Sequence, residues 1–341
     1  MAVQSVSAVC RICANGADNA THEAREMMYG LRERFAYFQC SRCGCLQIFE
    51  FPGDMNPYYP PEYWSFSARA EPPSGGSFPK RMARRTRNRY AILGRGLLGR
   101  MLFRLRPNTD LEDRIAARFP GNGTREVGLI PRSRILDVGC GSGELLLLLH
   151  AAGFRSLLGI DPYVDRDLVY PGGLRILKRS IHEIDGHWDL VMLHHSLEHM
   201  PDQQETLDAV GRLLAPGGWC LIRVPIVSYA WEHYGVDWVQ LDAPRHFFLH
   251  SGQSLKQVAE RAGLKIARTV YDSGSFQFWG SELYRRDIPL FTTSPVDVEA
   301  RAAAFKREEI EVFEKRGQEL NAQHRGDQAA FYLRKVTHDS A

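Results

Sequence analysis

Long apolar runs are missing from this chain: nothing in its 341 residues approaches the ~18 uninterrupted apolar residues of a membrane-spanning helix. The opening MAVQSVSAVCRIC carries neither the charged leader nor the apolar core of a secretory signal. A cytoplasmic setting is therefore expected. Cysteine is sparse, at seven residues, and in a reducing compartment clustered cysteines bind metal more often than they form disulfides. Acidic residues are absent between Glu71 and Asp110, whereas Lys80, Arg81, Arg84, Arg85, Arg87, Arg89, Arg95, Arg100, Arg104 and Arg106 fall within that gap. The net charge of +3 conceals this asymmetry. A content of 44% hydrophobic and 24% charged residues excludes a disordered chain and leaves ample material for a core.

What is present begins with two C-x-x-C pairs, Cys10 with Cys13 and Cys40 with Cys43. Each thiolate pair can hold one side of a tetrahedral zinc ion, and two pairs complete a closed site with no position left for substrate. The stretch YFQCSRCGCLQIF reads as a zinc-ribbon knuckle on a hairpin, with Gly44 at the exit and Cys45 as a spare. Residues 1–56 are expected to form this small module, with structural zinc.

A linker and basic helical region follows over residues 57–131. PGDMNPYYPPEYWSF and EPPSGGSFP are rich in proline, glycine and aromatic residues. Beyond them, Ile92, Leu93, Leu97, Leu98, Met101, Leu102 and Leu105 recur every three or four positions, which predicts an amphipathic helix weakened by Gly94, Gly96 and Gly99. Such a helix could lie across the next domain with its arginines in water, receive an anionic substrate, or bring residues 80–106 to an anionic lipid surface.

Residues 132–341 read as an α/β domain. Ile135, Leu136 and Val138 form a buried strand, Gly139, Gly141 and Gly143 a turn, and Leu145 to Leu149 a buried helix. Strand, glycine turn and helix open a doubly wound fold, whose ligands bind at the carboxyl ends of the strands. The nicotinamide pattern G-x-G-x-x-G fits badly, because Glu144 stands where a small residue is needed. Later strands are predicted at SLLGIDP, ending on Asp161, at Leu174–Ser180, at Trp188–His195, at Ala215–Pro225, at LKIARTVYD and at Gln328–Val336. Helices are predicted between them, one with Asp202 and Glu205 as a capping box, one over Ser251–Gly263, and one from Pro295 to about Asn321. His195-Ser-Leu-Glu198-His199 matches the inverted zinc-protease pattern H-x-x-E-H, but it straddles a strand end where that chemistry needs a helix.

LDVGCGSG, the acidic Asp161, WDLVMLHHSLEHM and LLAPGGWCLIRVP occur in that order. Together they resemble the class I S-adenosylmethionine-dependent methyltransferases, over Arg132 to about Asp272 and the final strand. The resemblance implies a Rossmann-like sheet of seven strands, the last antiparallel and inserted between the fifth and sixth. It implies cofactor contacts from Asp137, Gly139, Cys140, Gly141 and Gly143 near the methionine end, from Asp161 and Pro162 at the ribose, and from Ile181 and His182 near the adenine. His194 is expected beside the cofactor too.

The head, the aromatic YYPPEYWSF, the α/β domain and DAPRHFFLHS in that order are also similar to bacterial methyltransferases of sugars and surface polysaccharides. That likeness implies methyl transfer to a hydroxyl of a sugar, nucleotide sugar or glycan precursor. The alternative is a methyltransferase or scaffold that holds nucleic acid through the ribbon and basic helix. A hydroxyl acceptor needs a base, for which His246 is the first candidate and His195 the second, while Arg245 would suit an anionic group of the substrate.

Overall fold

The computed structural model describes residues 8–60, 77–291 and 302–336. Of YYPPEYWSF, only the first three residues fall within them. Three short strands, β1 (Ala20–Arg25), β2 (Arg34–Gln39) and β3 (Leu46–Ile48), form an antiparallel meander around the cysteine loops.

The basic region is two helices, α1 (Phe78–Leu93) and α2 (Leu97–Leu105), where the apolar spacing predicted one. Gly94 stops α1 in a left-handed conformation, φ +63°, with its N–H on the Tyr90 carbonyl. The chain then folds back, and Gly99 of α2 sits on Tyr90, where a Cβ would lie 2.8 Å from the Tyr90 Cβ. The break leaves Leu97, Leu98, Met101 and Leu105 in solvent. Helix α3 (Thr109–Arg118) leads into the α/β domain.

That domain alternates β4 (Ile135–Val138), α4 (Glu144–Ala151), β5 (Leu157–Ile160), β6 (Leu168–Val169), β7 (Arg175–Leu177), β8 (Trp188–His194), α5 (Gln203–Leu213) and β9 (Leu214–Pro225). It continues through α6 (Tyr229–Tyr234), β10 (Phe248–Leu249), α7 (Gly252–Arg261), β11 (Leu264–Tyr271), α8 (Phe276–Arg285), α9 (Arg307–Ala322) and β12 (Gln328–Lys335). The sheet runs β11-β12-β9-β8-β4-β5-β7-β6. Strand β12 is antiparallel to both neighbours, inserted between β9 and β11, while β9, β8, β4, β5 and β7 are mutually parallel. These are the seven expected strands. The eighth, two-residue β6, pairs antiparallel on the outer edge of β7 and carries no sequence signal at that length. All four residues of β4 are buried, as are four of the five leucines of α4, because layers cover both faces of the sheet.

Two local expectations are corrected. Asp202 begins α5 without a side-chain cap, so no capping box forms there. Of the helix predicted from Pro295 to about Asn321, residues 295–301 lie outside the described residues, 303–305 form a turn, and the helix begins at Arg307 as α9.

The amino-terminal meander shares its core with the α/β domain. Strand β10 completes its sheet by pairing with β3, and Phe38, Leu46 and Ile48 join one apolar cluster with Ile222, Phe248 and Leu255. No helix among the described residues is long and apolar enough to cross a membrane.

Candidate active site and cysteine cluster

A cavity of about 860 Å³ opens over the carboxyl ends of β4, β5 and β8. At one end the chain turns from β4 into α4. Gly139 has φ +73°, and a Cβ there would lie 2.4 Å from that of Ser196, whose hydroxyl donates to the Val138 carbonyl at 2.8 Å. Only glycine lets the loop pass this close. Asp161, at the tip of β5, accepts from the backbone N–H groups of Gly141 and Tyr163, each at 2.9 Å, and so anchors the glycine loop while still facing the cavity. Burial pushes its carboxyl up, against those two bonds. Burial also pushes Asp137 up to about 7, with Arg118 pulling the other way.

Of the residues expected around the cofactor, Asp137, Gly139, Cys140, Gly141, Asp161, Pro162, Ile181, His182 and His194 all line this cavity. Gly143 is not on its wall. With φ +81° it starts α4, packed so tightly on Ile176 that a Cβ would lie 2.5 Å from that side chain. Arg118 and Tyr59 also line the cavity. Sequence reading missed both, since each arrives from outside the α/β domain. Arg118 is held by Glu144, the residue that spoils the nicotinamide pattern. Tyr59 stacks on Tyr163, ring centres 5.8 Å apart.

The other end of the cavity is formed by the turn after β8 and the loop before β10. His194 has neither ring nitrogen hydrogen-bonded, and burial holds its imidazole well below the ordinary range. His195 is in the left-handed region, φ +48°, with Nε2 2.7 Å from Arg223 Nη1 and Nδ1 3.3 Å from Glu198 Oε1. Arg223 is in turn tied to Asp272 at 2.6 Å. Both ring nitrogens of His195 therefore face charged partners. His199 and His246 stand edge to face, ring centres 4.8 Å apart. Burial, then the neighbouring His246, hold His199 down at about 4. Burial opposes charge on Glu198, but His195, with His199 and His246 beyond it, outweighs burial and holds the carboxyl down at about 2.

Between the two ends, Met28 from the meander, Phe276 and Trp279 of α8, and Leu290 and Phe291 form an apolar wall. Arg245 does not face the cavity as a substrate-binding group would. It is fully buried, with Nη2 2.5 Å from Asp242 Oδ1 and 2.9 Å from Glu26 Oε1, so the expected contact with an anionic substrate is corrected to a buried structural pair.

The four cysteines of the two pairs meet at one point. Sγ of Cys10 lies 3.6 Å from that of Cys43, Sγ of Cys13 lies 3.4 Å from that of Cys40, and all four fall within 4.8 Å of one another. Gln47 Nε2 donates to the Cys10 sulfur at 2.9 Å, and the backbone N–H of Cys43 points at Cys40. Cys45 is fully buried and is not one of the four clustered sulfurs. The H-x-x-E-H pattern falls on a strand end and a single 3-10 turn, so His195 and His199 do not share a helix face.

Residues 103–269 match the sequence family described as "Methyltransferase domain". Among curated proteins, the chain is similar to the ubiquinone biosynthesis O-methyltransferases of Bordetella avium and Aromatoleum aromaticum. The first is 30% identical over 158 residues, covering 40% of this chain and 64% of the relative. The second is 28% identical over 164 residues, covering 43% and 69%. The chain thus spans less than two thirds of the Bordetella relative's length. Among solved structures it is similar to a methyltransferase of Archaeoglobus fulgidus, at 19% identity and TM-score 0.39, covering 70% of this chain and 99% of that one. It is also similar to the geranyl diphosphate C-methyltransferase of Streptomyces coelicolor, at 14% identity and TM-score 0.42, covering 66% and 79%. Over residues 103–269 the chain is thus similar to methyltransferase domains, and its strand order and glycine turn agree with that match.

Proposed function

We propose that the protein transfers the methyl group of S-adenosylmethionine to a hydroxyl of a small acceptor with an apolar body. One observation carries this: a single cavity joins the glycine turn and Asp161 to a polar end made by His199 and His246, across a wall of Phe276, Trp279 and Phe291. The cofactor supplies the reactive methyl, bound to a sulfonium. This chain's residues would hold its ribose hydroxyls at Asp161, pass its methionine end over Gly139 and Gly141, and keep water from the methyl with the apolar wall. The curated relatives are named for O-methylation in ubiquinone biosynthesis, which supports an oxygen acceptor. An aromatic ring bearing a hydroxyl suits the wall better than a sugar. Among the described residues of this wall there is no polar array to favour the sugar or glycan acceptor expected from the sequence.

His246 is the proposed residue that deals with the acceptor's proton. Its Nδ1 is committed to the Gln240 carbonyl at 2.8 Å, so Nε2, 3.8 Å from Asp242 Oδ2, is the nitrogen left to act on an acceptor. His195 is set aside, because Arg223 holds its Nε2 at 2.7 Å and the buried Glu198 stands 3.3 Å from its Nδ1. The test is methyl transfer from labelled cofactor to a panel of catechols, phenols and nucleotide sugars. His246→Ala should lower turnover on the accepted substrate by ~100-fold or more and leave cofactor affinity unchanged. A variant that turns over at the parent rate removes His246 from the reaction, and transfer to sugars alone replaces the aromatic acceptor.

Zinc on Cys10, Cys13, Cys40 and Cys43 is proposed as a structural ion. Bonds of ~2.3 Å in a tetrahedron separate neighbouring sulfurs by roughly 3.8 Å, close to the separations of the two sulfur pairs.

A further inference from the structure

A second group of potential ligands lies inside the cavity, and its chemistry differs from that of the cysteines. One ligating atom each from Glu198, His199 and His246 falls within 4.8 Å of the others. Glu198 has no exposed surface, and neither carboxylate oxygen makes a hydrogen bond. A buried carboxylate without donors is costly unless something else meets its charge. His195 Nδ1, 3.3 Å from Oε1, is the near neighbour, yet it makes no aligned hydrogen bond.

The two histidines are set up by their outer contacts. His199 Nδ1 lies 2.9 Å from the Arg245 carbonyl, and His246 Nδ1 lies 2.8 Å from the Gln240 carbonyl. A carbonyl oxygen only accepts, so each Nδ1 carries the proton and each Nε2 presents a lone pair. An imidazole fixed in this way by a backbone carbonyl is the usual support of a metal-ligating histidine. The backbone also joins the two segments, since the Phe247 N–H donates to the Glu198 carbonyl at 2.8 Å. Two histidines and a carboxylate together suit a divalent first-row transition ion and leave positions open to other oxygen donors.

We propose that Glu198, His199 and His246 bind a divalent transition-metal ion whose open positions face the acceptor. Bonds near 2.1 Å place ligating atoms roughly 3.0–4.2 Å apart, a spacing inside the 4.8 Å within which the three lie. The ion would orient the acceptor through its oxygens and make its hydroxyl more acidic, the proton passing to water. Methyl transfer then forms the O–CH3 bond as the S–CH3 bond breaks, leaving the cofactor as a neutral thioether. This rests on the reading of the cavity as a methyl-transfer site, with His246 acting on the acceptor's proton through the ion.

Manganese(II) is the probe, because a hard ion avoids the thiolate cluster. Titrated into the full-length chain with its cysteine site loaded with zinc, Mn2+ should bind at one equivalent, read by loss of the free-ion electron paramagnetic resonance signal. Glu198→Gln, which keeps the side chain's shape, should weaken binding by ~100-fold or more. His246→Gln should do the same, and it serves if the first variant fails to fold. Absence of Mn2+ binding in the parent, or affinity unchanged in the folded variants, overturns the site. Labelled methyl transfer is read in parallel. Transfer that persists in chelator, without ion binding, overturns the site and leaves the functional reading intact. Ion binding without transfer to any hydroxyl acceptor does the reverse.

Discussion

Nη2 of Arg245 lies 2.9 Å from Oε1 of Glu26, and both side chains are fully buried. Glu26 also accepts from the backbone N–H groups of Tyr29 and Leu31, so it shapes the turn after β1 that carries Met28 to the cavity. The pair therefore fixes the amino-terminal meander against the loop that bears His246. Arg245→Met would strand the Glu26 charge, at a cost of ~3–5 kcal/mol. Glu26→Gln added to it should restore part of the loss. Urea denaturation of the parent and the two variants checks this, and equal stability of the single variant and the parent would sink it.

Asp161 should control cofactor affinity in two ways. Its carboxylate faces the cavity and holds the Gly141 and Tyr163 N–H groups. Asp161→Ala loses the ribose bonds and unlatches the glycine turn, for about 2–3 kcal/mol if charge-assisted bonds contribute ~1.5 each. Calorimetry with S-adenosylmethionine and its demethylated product should show both weakened alike. A folded variant with parental affinity would move the ribose elsewhere.

The freshly purified protein should contain one zinc on the cysteine cluster. Cys40→Ser should release it and lower the melting temperature, because metal binding is coupled to the folding of the loops it joins. Metal analysis finding well under half an equivalent in the parent, or no loss in the variant, would contradict this.

The central sheet was legible because its signals are local. ILDV followed by alternating glycines can be read within a dozen residues, and so can the two C-x-x-C pairs. The polar end of the cavity was legible only in parts. Glu198 and His199 stood out as a group, and His246 in another, but nothing in a single sequence shows that the turn after β8 meets the loop before β10. Arg245 misled for a related reason. An arginine beside a catalytic candidate resembles a substrate anchor, and its partner Glu26 is 219 residues away. The split of the basic helix was half visible: Gly94 and Gly96 weakened it, but the turn back onto Tyr90 is a tertiary contact.

The exposed face of α2 should bind anionic lipid. Leu97, Leu98, Met101 and Leu105 point to solvent on a helix flanked by Arg95, Arg100, Arg104 and Arg106. Apolar side chains rimmed by arginines suit the boundary between headgroups and acyl chains. Vesicles containing phosphatidylglycerol should sediment with the protein, and neutral phosphatidylcholine vesicles should not. Leu98→Glu with Met101→Glu should abolish the effect. Binding to a random oligonucleotide that competes with vesicles and weakens steeply with salt would instead assign the face to nucleic acid.

The final prediction concerns acid stability and His250. Its Nε2 is 2.8 Å from Gln203 Oε1, and Gln203 Nε2 donates to the carbonyls of Leu197 and Met200, the turn that carries Glu198 and His199. The amide orientation of Gln203 is thereby fixed, so His250 must donate from Nε2 and accept at Nδ1 from Ser254, 3.0 Å away. A second proton, on Nδ1, requires the Ser254 hydroxyl to turn its own proton to the Ser251 carbonyl, 3.1 Å away, and burial opposes the added charge. Burial holds the imidazole down at about 4, with the charge of Glu198 pushing the other way. An unfolded histidine titrates near ~6.5. The folded state thus refuses a proton that the unfolded state accepts: the site's contribution is fully present above pH ~6.5 and is lost as pH falls towards ~4. Between pH 7 and pH 5 the loss from this residue should be about 2 kcal/mol, at 1.36 kcal/mol per pH unit below the unfolded pKa. His250→Gln cannot titrate, so its stability should fall less over that interval, even if it is the less stable protein at pH 7. Denaturant titrations of both proteins at pH 7 and pH 5 measure the difference, and parallel losses would place the acid-sensitive group elsewhere.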